Sequence, residues 1–285
     1  MRRFEDGRLL RGASRYIEDL EHSDALEAVF VRSPHAHARI RRIDATRARA
    51  RTDVHSVFTA EDFLAAGLQP LRCVRPIDSS DGTPFCAPTR HALALDTVRF
   101  VGEAVAMVVA TSPTAALEAV EEIDVDYEPL EVVLDTRESN EVALTHTLGD
   151  AVEAEAAFKS AAHVVRVERI NNRVSALPLE TRSAIGRFDA ETQRYRLDTQ
   201  SQGVHLIRTL VALGLGVDEE RVRVVTPDVG GSFGMKLVSY PEQVAVLAAA
   251  RLLERPVRWV STRSEALLSD TQGRDHISTS ELALA

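Results

Sequence analysis

The sequence predicts a mixed α/β protein of the α+β kind, organised as two domains. Three observations predict it. A strand–helix–strand signature runs from Thr97 to Asp135, strands and helices alternate afresh from about Leu144, and the composition is that of a globular chain. With 285 residues, 45% hydrophobic and 27% charged, the chain can bury about two cores.

The elements follow in order. Apolar runs predict strands at Ala28–Arg32, Ala38–Ile43 and Val54–Phe58, with a short helix after Asp44. Gln69 to Pro88 carries four prolines among scattered polar residues and reads as a long loop. Val98, Phe100, Val105, Met107 and Val109 form an apolar, β-branched run. Ser112 is placed to cap a helix with Pro113 in its first turn, and Ile123, Val125 and Tyr127 then alternate as a strand. Residues 1–135 are thus expected to form a first domain. A second, 144–285, opens with an alanine-rich helix after Asp150 and returns to a strand. It continues as QRYRLDTQ (strand), GVHLIRTLVALGLG (helix ending in glycines), RVRVVTPDV (strand), YPEQVAVLAAARLLE (helix), PVRWVSTR (strand) and DHISTSELALA (strand). The last strand runs to Ala285 with no cap or polar tail. It is expected to leave an apolar edge open, as a truncated domain would. No internal repeat or low-complexity segment interrupts the pattern.

Charge and composition exclude several classes. A net charge of −9 disfavours nucleic acid as the main partner. No run approaches the roughly 20 apolar residues of a membrane span, and MRRFEDGRLLRG is charged where a signal peptide is apolar, so a cytoplasmic location is expected. Cys73 and Cys86 are too few for an iron–sulfur site, which takes about four thiolates, and read as reduced thiols. His35 and His37, two apart on an expected strand, would share a face but lack a third ligand. The arginines from Arg39 to Arg51 read as a solvated face.

The stretch TPDVGGSFGMKLVSYPEQ, between an expected strand and helix, carries the chemistry. It is no P-loop, because Met235 separates Gly234 from Lys236 and Leu237 stands where a hydroxyl is needed. Nor is it a dinucleotide fingerprint, because Gly230, Gly231 and Gly234 are spaced Gly-Gly-x-x-Gly. What remains is a strand end, glycines that let backbone amides approach an anion, and a helix N-terminus behind them. Phe233 reads as an apolar wall beside a ligand. A tight turn with no ligand is the alternative on these residues alone.

Upstream lie Gln202, His205 and Arg208. Their spacing, followed by a strand and then Gly230-Gly231-Ser232-Phe233-Gly234-Met235-Lys236, resembles the molybdenum-binding large subunit of the xanthine dehydrogenase, aldehyde oxidase and carbon monoxide dehydrogenase family, whose pattern is Gln-x-x-His-x-x-Arg and then Gly-Gly-Gly-Phe-Gly-x-Lys. The segments RRFEDGRLLRGASRYIEDL, VRSPHAHARIRRIDA, VRFVGEAVAMVVATSPTAALEAVEEIDVDYEPLEVVLD, GDAVEAEAAFKSAAHVV and NNRVSALPLETRSAIGRFD are similar to the family as well. The resemblance implies a hammerhead-like first domain, the first part of a molybdopterin-binding domain, and an N-terminal portion of a much longer subunit. It implies a molybdopterin cofactor, often in its cytosine dinucleotide form, whose metal is held by the pterin dithiolene with no protein ligand. Cofactors of this kind bring the reactivity and the protein supplies position. By resemblance Gln202 donates to an oxygen ligand of the metal, and Gly231, Ser232, Phe233 and Gly234 lie against the cofactor.

The family oxidises aldehydes, purines, carbon monoxide or similar small molecules. Iron–sulfur and FAD partner subunits carry the electrons away. Its base is a glutamate in the C-terminal part, beyond Ala285, so the catalytic residue is not in this chain and the chain alone is expected to be inert. Two departures bear on the site. Ser232 replaces the third glycine and would be strained at positive φ. LPLETR stands for Pro-Met-Glu-Pro-Arg, leaving Glu180 and Arg182 as either a buried charge pair that fixes the turn or catalytic groups. Asp228 reads as structural. Two other readings stand beside the family one: a non-catalytic remnant or assembly partner that keeps the fold, and an unrelated phosphate or small-molecule binding module.

Overall fold

The computed structural model describes residues 3–73, 77–139 and 141–285. Its helices are α1 (Asp6–Leu9), α2 (Thr46–Arg49), α3 (Ala60–Ala65), α4 (Pro113–Glu121), α5 (Ala151–Ser160), α6 (Val204–Leu215), α7 (Pro241–Leu253) and α8 (Arg263–Ser269). Its strands are β1 (Leu26–Arg32), β2 (Ala38–Asp44), β3 (Val54–Thr59), β4 (Thr97–Val98), β5 (Ala104–Ala110), β6 (Asp124–Pro129) and β7 (His163–Asn171). They continue as β8 (Val174–Ser175), β9 (Ser183–Asp189), β10 (Arg194–Thr199), β11 (Val222–Val225), β12 (Val257–Val260), β13 (Gln272–Gly273) and β14 (His276–Leu284). The described residues fall into two compact units, one drawn from 3–73, 89–134 and 177–270, the other from 77–88, 135–139, 141–176 and 271–285.

The first unit is built on a seven-stranded mixed sheet of order β11-β10-β9-β12-β1-β5-β3. Parallel pairs join β10 to β11 and β1 to β12, and the other neighbours are antiparallel. Strand β5 carries no charge, and all seven of its residues are buried. Its Met107 and Val109 enter the main core, while Val108 and Ala110 pack on the opposite face, as a strand covered on both sides must. Helix α4 begins as the sequence predicts: Ser112 Oγ accepts from Ala115 N at 3.2 Å, Pro113 opens the helix, and Ala115, Ala116 and Ala119 are buried.

The predicted strand–helix–strand signature is present, but its strands part company. β5 lies in the seven-stranded sheet and β6 in a three-stranded one of order β4-β2-β6. The alternation of Val125 and Tyr127 makes β6 the antiparallel partner of β2 and turns those side chains onto a separate apolar cluster. Helix α7 buries Glu242 through Ala250. Its alanines let it sit so close to β9 that a Cβ on Gly186 would lie 2.9 Å from the Val246 carbonyl oxygen.

The second unit holds α5, β7, β8, β13 and β14. Asp150 caps α5, accepting from Val152 N and Glu153 N at 2.9 Å each. β14 pairs antiparallel with β7 along its length, from Leu284 opposite His163 to His276 opposite Asn171. The final strand therefore has a partner on one side, where β7 offers nine residues in register, and its other edge pairs with no described strand.

Other expectations meet mixed outcomes. Apart from residues 74–76, which lie outside the described residues, Gln69–Pro88 carries no helix or strand beyond one bridge from Leu71 to Arg90. His35 and His37 precede β2 instead of sharing a strand face: His35 lies against Tyr127 and His37 Nδ1 is 2.7 Å from the Glu131 carbonyl oxygen. Cys73 and Cys86 are free and exposed. Arg39 and Arg41 pair with Glu128, and Arg51 with Asp53, Glu118 and Glu122. β9 and α8 escape the sequence reading, although Thr262 and Glu265 form a capping box at the start of α8. No described helix is long and apolar enough to cross a membrane, and no described His, Cys, Asp and Glu cluster could hold a metal ion.

Candidate functional site

β10 and β11 run parallel, with Asp198 opposite Val225, so their carboxyl ends lie side by side. Gln202 follows β10 just before α6, and the glycine turn follows β11. The carboxyl edge of parallel strands is where open α/β sheets receive ligands. The two segments are tied together: Gln202 N donates to Lys236 O at 3.0 Å, and Thr226 Oγ1 to Thr199 O at 2.9 Å.

One carboxylate holds both ends of the turn. Glu180 Oε2 accepts from Gly230 N at 2.7 Å and from Lys236 Nζ at 3.1 Å, and Glu180 N donates to Gly230 O at 3.1 Å. Gln200 Nε2 donates to Glu180 Oε1 at 2.9 Å, fixing the carboxylate from behind. The side chains of Lys236 and Glu180 are 1% and 10% exposed. Burial pulls the Lys236 ammonium below the usual lysine value, against the opposing pull of Glu180. Gly230 has to be glycine here, because a Cβ would meet Glu180 Cβ at 2.5 Å.

Glu180 and Arg182 do not pair with each other. Arg182 Nη1 binds Glu242 at 2.7 Å and its Nε binds Asp270 at 2.5 Å, while the guanidinium stacks 3.8 Å from the Tyr240 ring centre. Burial would raise the Glu242 carboxyl, but Arg182 and then Arg32 outweigh it and hold the group ionised well below the usual range. Arg182 is taken up by Glu242 and Asp270 and Glu180 by Lys236, so residues 180 and 182 belong to separate networks. Asp228 is structural as expected: Arg8 and Arg15 N bind it, and Arg8, ahead of the backbone contact, brings its carboxyl down to about 2.

Within the turn the condition that would strain Ser232, a positive φ, is not met. Gly231, Phe233 and Gly234 have φ of 100, 54 and 93, while Ser232 is not in the positive-φ region. Ser232 therefore carries a side chain without backbone strain, and Phe233 bears a cost of about 1 kcal/mol. Phe233 is 78% exposed, so it is not core. Ser232 Oγ donates to Gln202 Oε1 at 2.5 Å and accepts from Lys236 N at 3.1 Å. The N–H groups of Gly231, Ser232, Phe233 and Gly234, and the Gln202 Nε2, have no hydrogen-bond partner among the described residues. Helix α7 begins only at Pro241, so the turn itself, and not that helix terminus, presents these donors.

The structure thus brings Gln202, Gly231, Ser232, Phe233 and Gly234 together. It leaves His205 exposed on α6 and pairs Arg208 with Glu219 at 3.1 Å, away from the turn. The clamp formed by Glu180, Gln200 and Lys236 was missed as such by sequence reasoning. A lysine following the glycines was its only local signal. Chemically, this edge offers a cluster of neutral N–H donors suited to an anionic, oxygen-bearing group, with no free acid or base beside it among the described residues.

The comparisons agree with that reading. Residues 134–285 match the molybdopterin cofactor-binding domain family, and residues 11–131 match the aldehyde oxidase and xanthine dehydrogenase a/b hammerhead domain. The chain is 35% identical to the nicotine 6-hydroxylase large subunit of Paenarthrobacter nicotinovorans over 99% of its own length and 35% of the relative's. It is 32% identical to the carbon monoxide dehydrogenase large chain of Hydrogenophaga pseudoflava, covering 98% of this chain and 36% of that one. Among solved structures, quinoline 2-oxidoreductase from Pseudomonas putida 86 superposes with a TM-score of 0.87 at 37% identity, over 100% of this chain and 37% of that one. Reconstituted CO dehydrogenase from Oligotropha carboxidovorans gives a TM-score of 0.88 at 31% identity, again over 100% and 37%. The chain spans about a third of the length of these relatives. With both domain families matched in succession along it, the protein belongs to the molybdenum-binding large-subunit family of xanthine dehydrogenase, aldehyde oxidase and carbon monoxide dehydrogenase.

Proposed function

We propose that this chain forms one wall of a molybdopterin pocket in an oxidoreductase of the molybdenum hydroxylase type. Residues 1–135 would be its hammerhead-like domain and 144–285 the first part of its cofactor domain. The observation that carries the proposal is the row of N–H groups from Gly231 to Gly234, beside Gln202 Nε2, that have no partner among the described residues. These donors fit the group: they are neutral, lie together at a strand edge, and match the anionic phosphate and oxygen atoms of such a cofactor. Gln202 would donate through Nε2, the turn would donate through its backbone, and Phe233 would shield the cofactor from water on its apolar side. When bound, the cofactor supplies the redox-active metal that takes up the substrate's electrons.

The cytosine dinucleotide form, iron–sulfur and FAD partner subunits, a cytoplasmic location and a substrate such as an aldehyde, a purine, carbon monoxide or an N-heterocycle belong to the same proposal. So does a base glutamate supplied from beyond residue 285.

The test compares the 285-residue chain with the same chain joined to the rest of its subunit and co-expressed with its partners. Molybdenum per polypeptide and dye-linked oxidation are measured. The joined enzyme is expected to hold molybdenum and turn over, and Gln202→Ala to lower kcat about 10²-fold, the scale for one lost donor at a reacting centre. Turnover by the chain alone, or a joined enzyme without molybdenum, would overturn the proposal.

A further inference from the structure

We infer that Ser232 is a positioning residue that sets the orientation of the Gln202 amide, an inference that rests on the proposed cofactor site. The family pattern has glycine at this place, so the hydroxyl is a departure from that pattern. Its contacts are specific: Oγ accepts from Lys236 N at 3.1 Å and lies 2.5 Å from the Gln202 amide. That separation is typical of O–H···O and too short for an ordinary N–H···O bond, so the atom facing Ser232 is Oε1. An amide held by its oxygen must turn its NH2 the other way. Nε2 is thereby left as an outward donor, with no partner among the described residues.

The arrangement extends inward. Gln202 N donates to Lys236 O at 3.0 Å, and the Lys236 ammonium is anchored on Glu180. Side chain and backbone of Gln202 are therefore both fastened to the same turn. A glutamine free to flip could present its oxygen instead, and an oxygen facing an anionic ligand repels it. Ser232 removes that ambiguity before any ligand arrives, and pre-organisation of this kind acts on rate at the reacting centre.

Two readouts test the inference. In the cofactor-free chain, the Gln202 side-chain amide is identified as the NH2 pair lost in Gln202→Leu, and its ps–ns mobility is read from the 15N heteronuclear NOE. In the intact loaded enzyme, kcat, KM and molybdenum content are measured for Ser232→Ala, Ser232→Gly and Ser232→Thr. Ser232→Ala and Ser232→Gly are expected to drop the NOE to that of surface glutamines and to lower kcat about tenfold, the scale of one hydrogen bond, with KM and molybdenum unchanged. Ser232→Thr, which keeps the hydroxyl, is expected to restore both. An unchanged NOE overturns the inference, as does a lost NOE with unchanged kcat, or a fall in molybdenum content parallel to kcat. Failure of the proposed function is told apart because it appears in the parent enzyme, as absent molybdenum, and it removes the inference with it.

Discussion

β5 and β7 are both valine-rich strands, yet every residue of β5 is buried and every residue of β7 is exposed. β5 has neighbours on both edges and apolar clusters on both faces. β7 has a single partner, β14, and Arg166, Glu168 and Arg169 interrupt its valines. Hydrophobic residues alone did not decide burial. Two covered faces did, and charges placed on both faces of a strand forbid that cover.

The same contrast governs the ion pairs, and the largest predicted effect lies there. Arg182 and Glu242 are 5% and 2% exposed, whereas Arg166 and Glu281 are 64% and 41% exposed. Arg182→Ala leaves Glu242 and Asp270 buried without their shared cation and is expected to cost about 3–5 kcal/mol by chemical denaturation. Arg166→Ala should cost below about 0.5 kcal/mol. Equal losses at the two pairs would break the comparison.

Next in size is apolar truncation. Met107→Ala in β5 is expected to cost about 2–5 kcal/mol, because the cavity has no room to collapse between two packed faces. Val165→Ala in β7 should stay within about 0.5 kcal/mol, since its side chain is already half exposed. A loss of 2 kcal/mol or more (~2) at Val165 would mean that the ribbon is covered in solution.

The smallest effect is a pH dependence. Asp228 has its carboxyl lowered from the ordinary 3.8 to about 2 by Arg8 and Arg15 N. Its contribution to stability is therefore full above pH 3.8 and is lost as pH falls through about 2. Asp228→Asn should flatten the stability profile over that window only. A change in slope near neutral pH would point to another group.

Much of the fold was legible because its signals are local. Ser112 with Pro113 announced α4, Asp150 announced α5, and the glycines on either side of Leu215 announced the end of α6, which terminates at Gly216 with φ of 69. At the site, the glycine pattern and Gln202 were legible as a pair through their resemblance to the family pattern. The Glu180 clamp was not, since it joins residues 180, 200, 230 and 236, and nothing along the chain says that these meet. Whether Ser232 takes a positive φ was not legible for a related reason. Glycines mark where positive φ is allowed, but the path of the turn decides which residue adopts it, and here Phe233 does.

By itself, then, the sequence determined the periodicities, the caps, the family pattern and the donors available at the turn, all of which depend on residues close together in the chain. Only the tertiary structure decided that β1 pairs with β12 across more than 200 residues (about 230), that β5 and β6 enter different sheets, and that Ser232 meets Gln202. Those outcomes depend on which faces find cover and which carbonyls find donors, and that competition is settled only when the whole chain is packed.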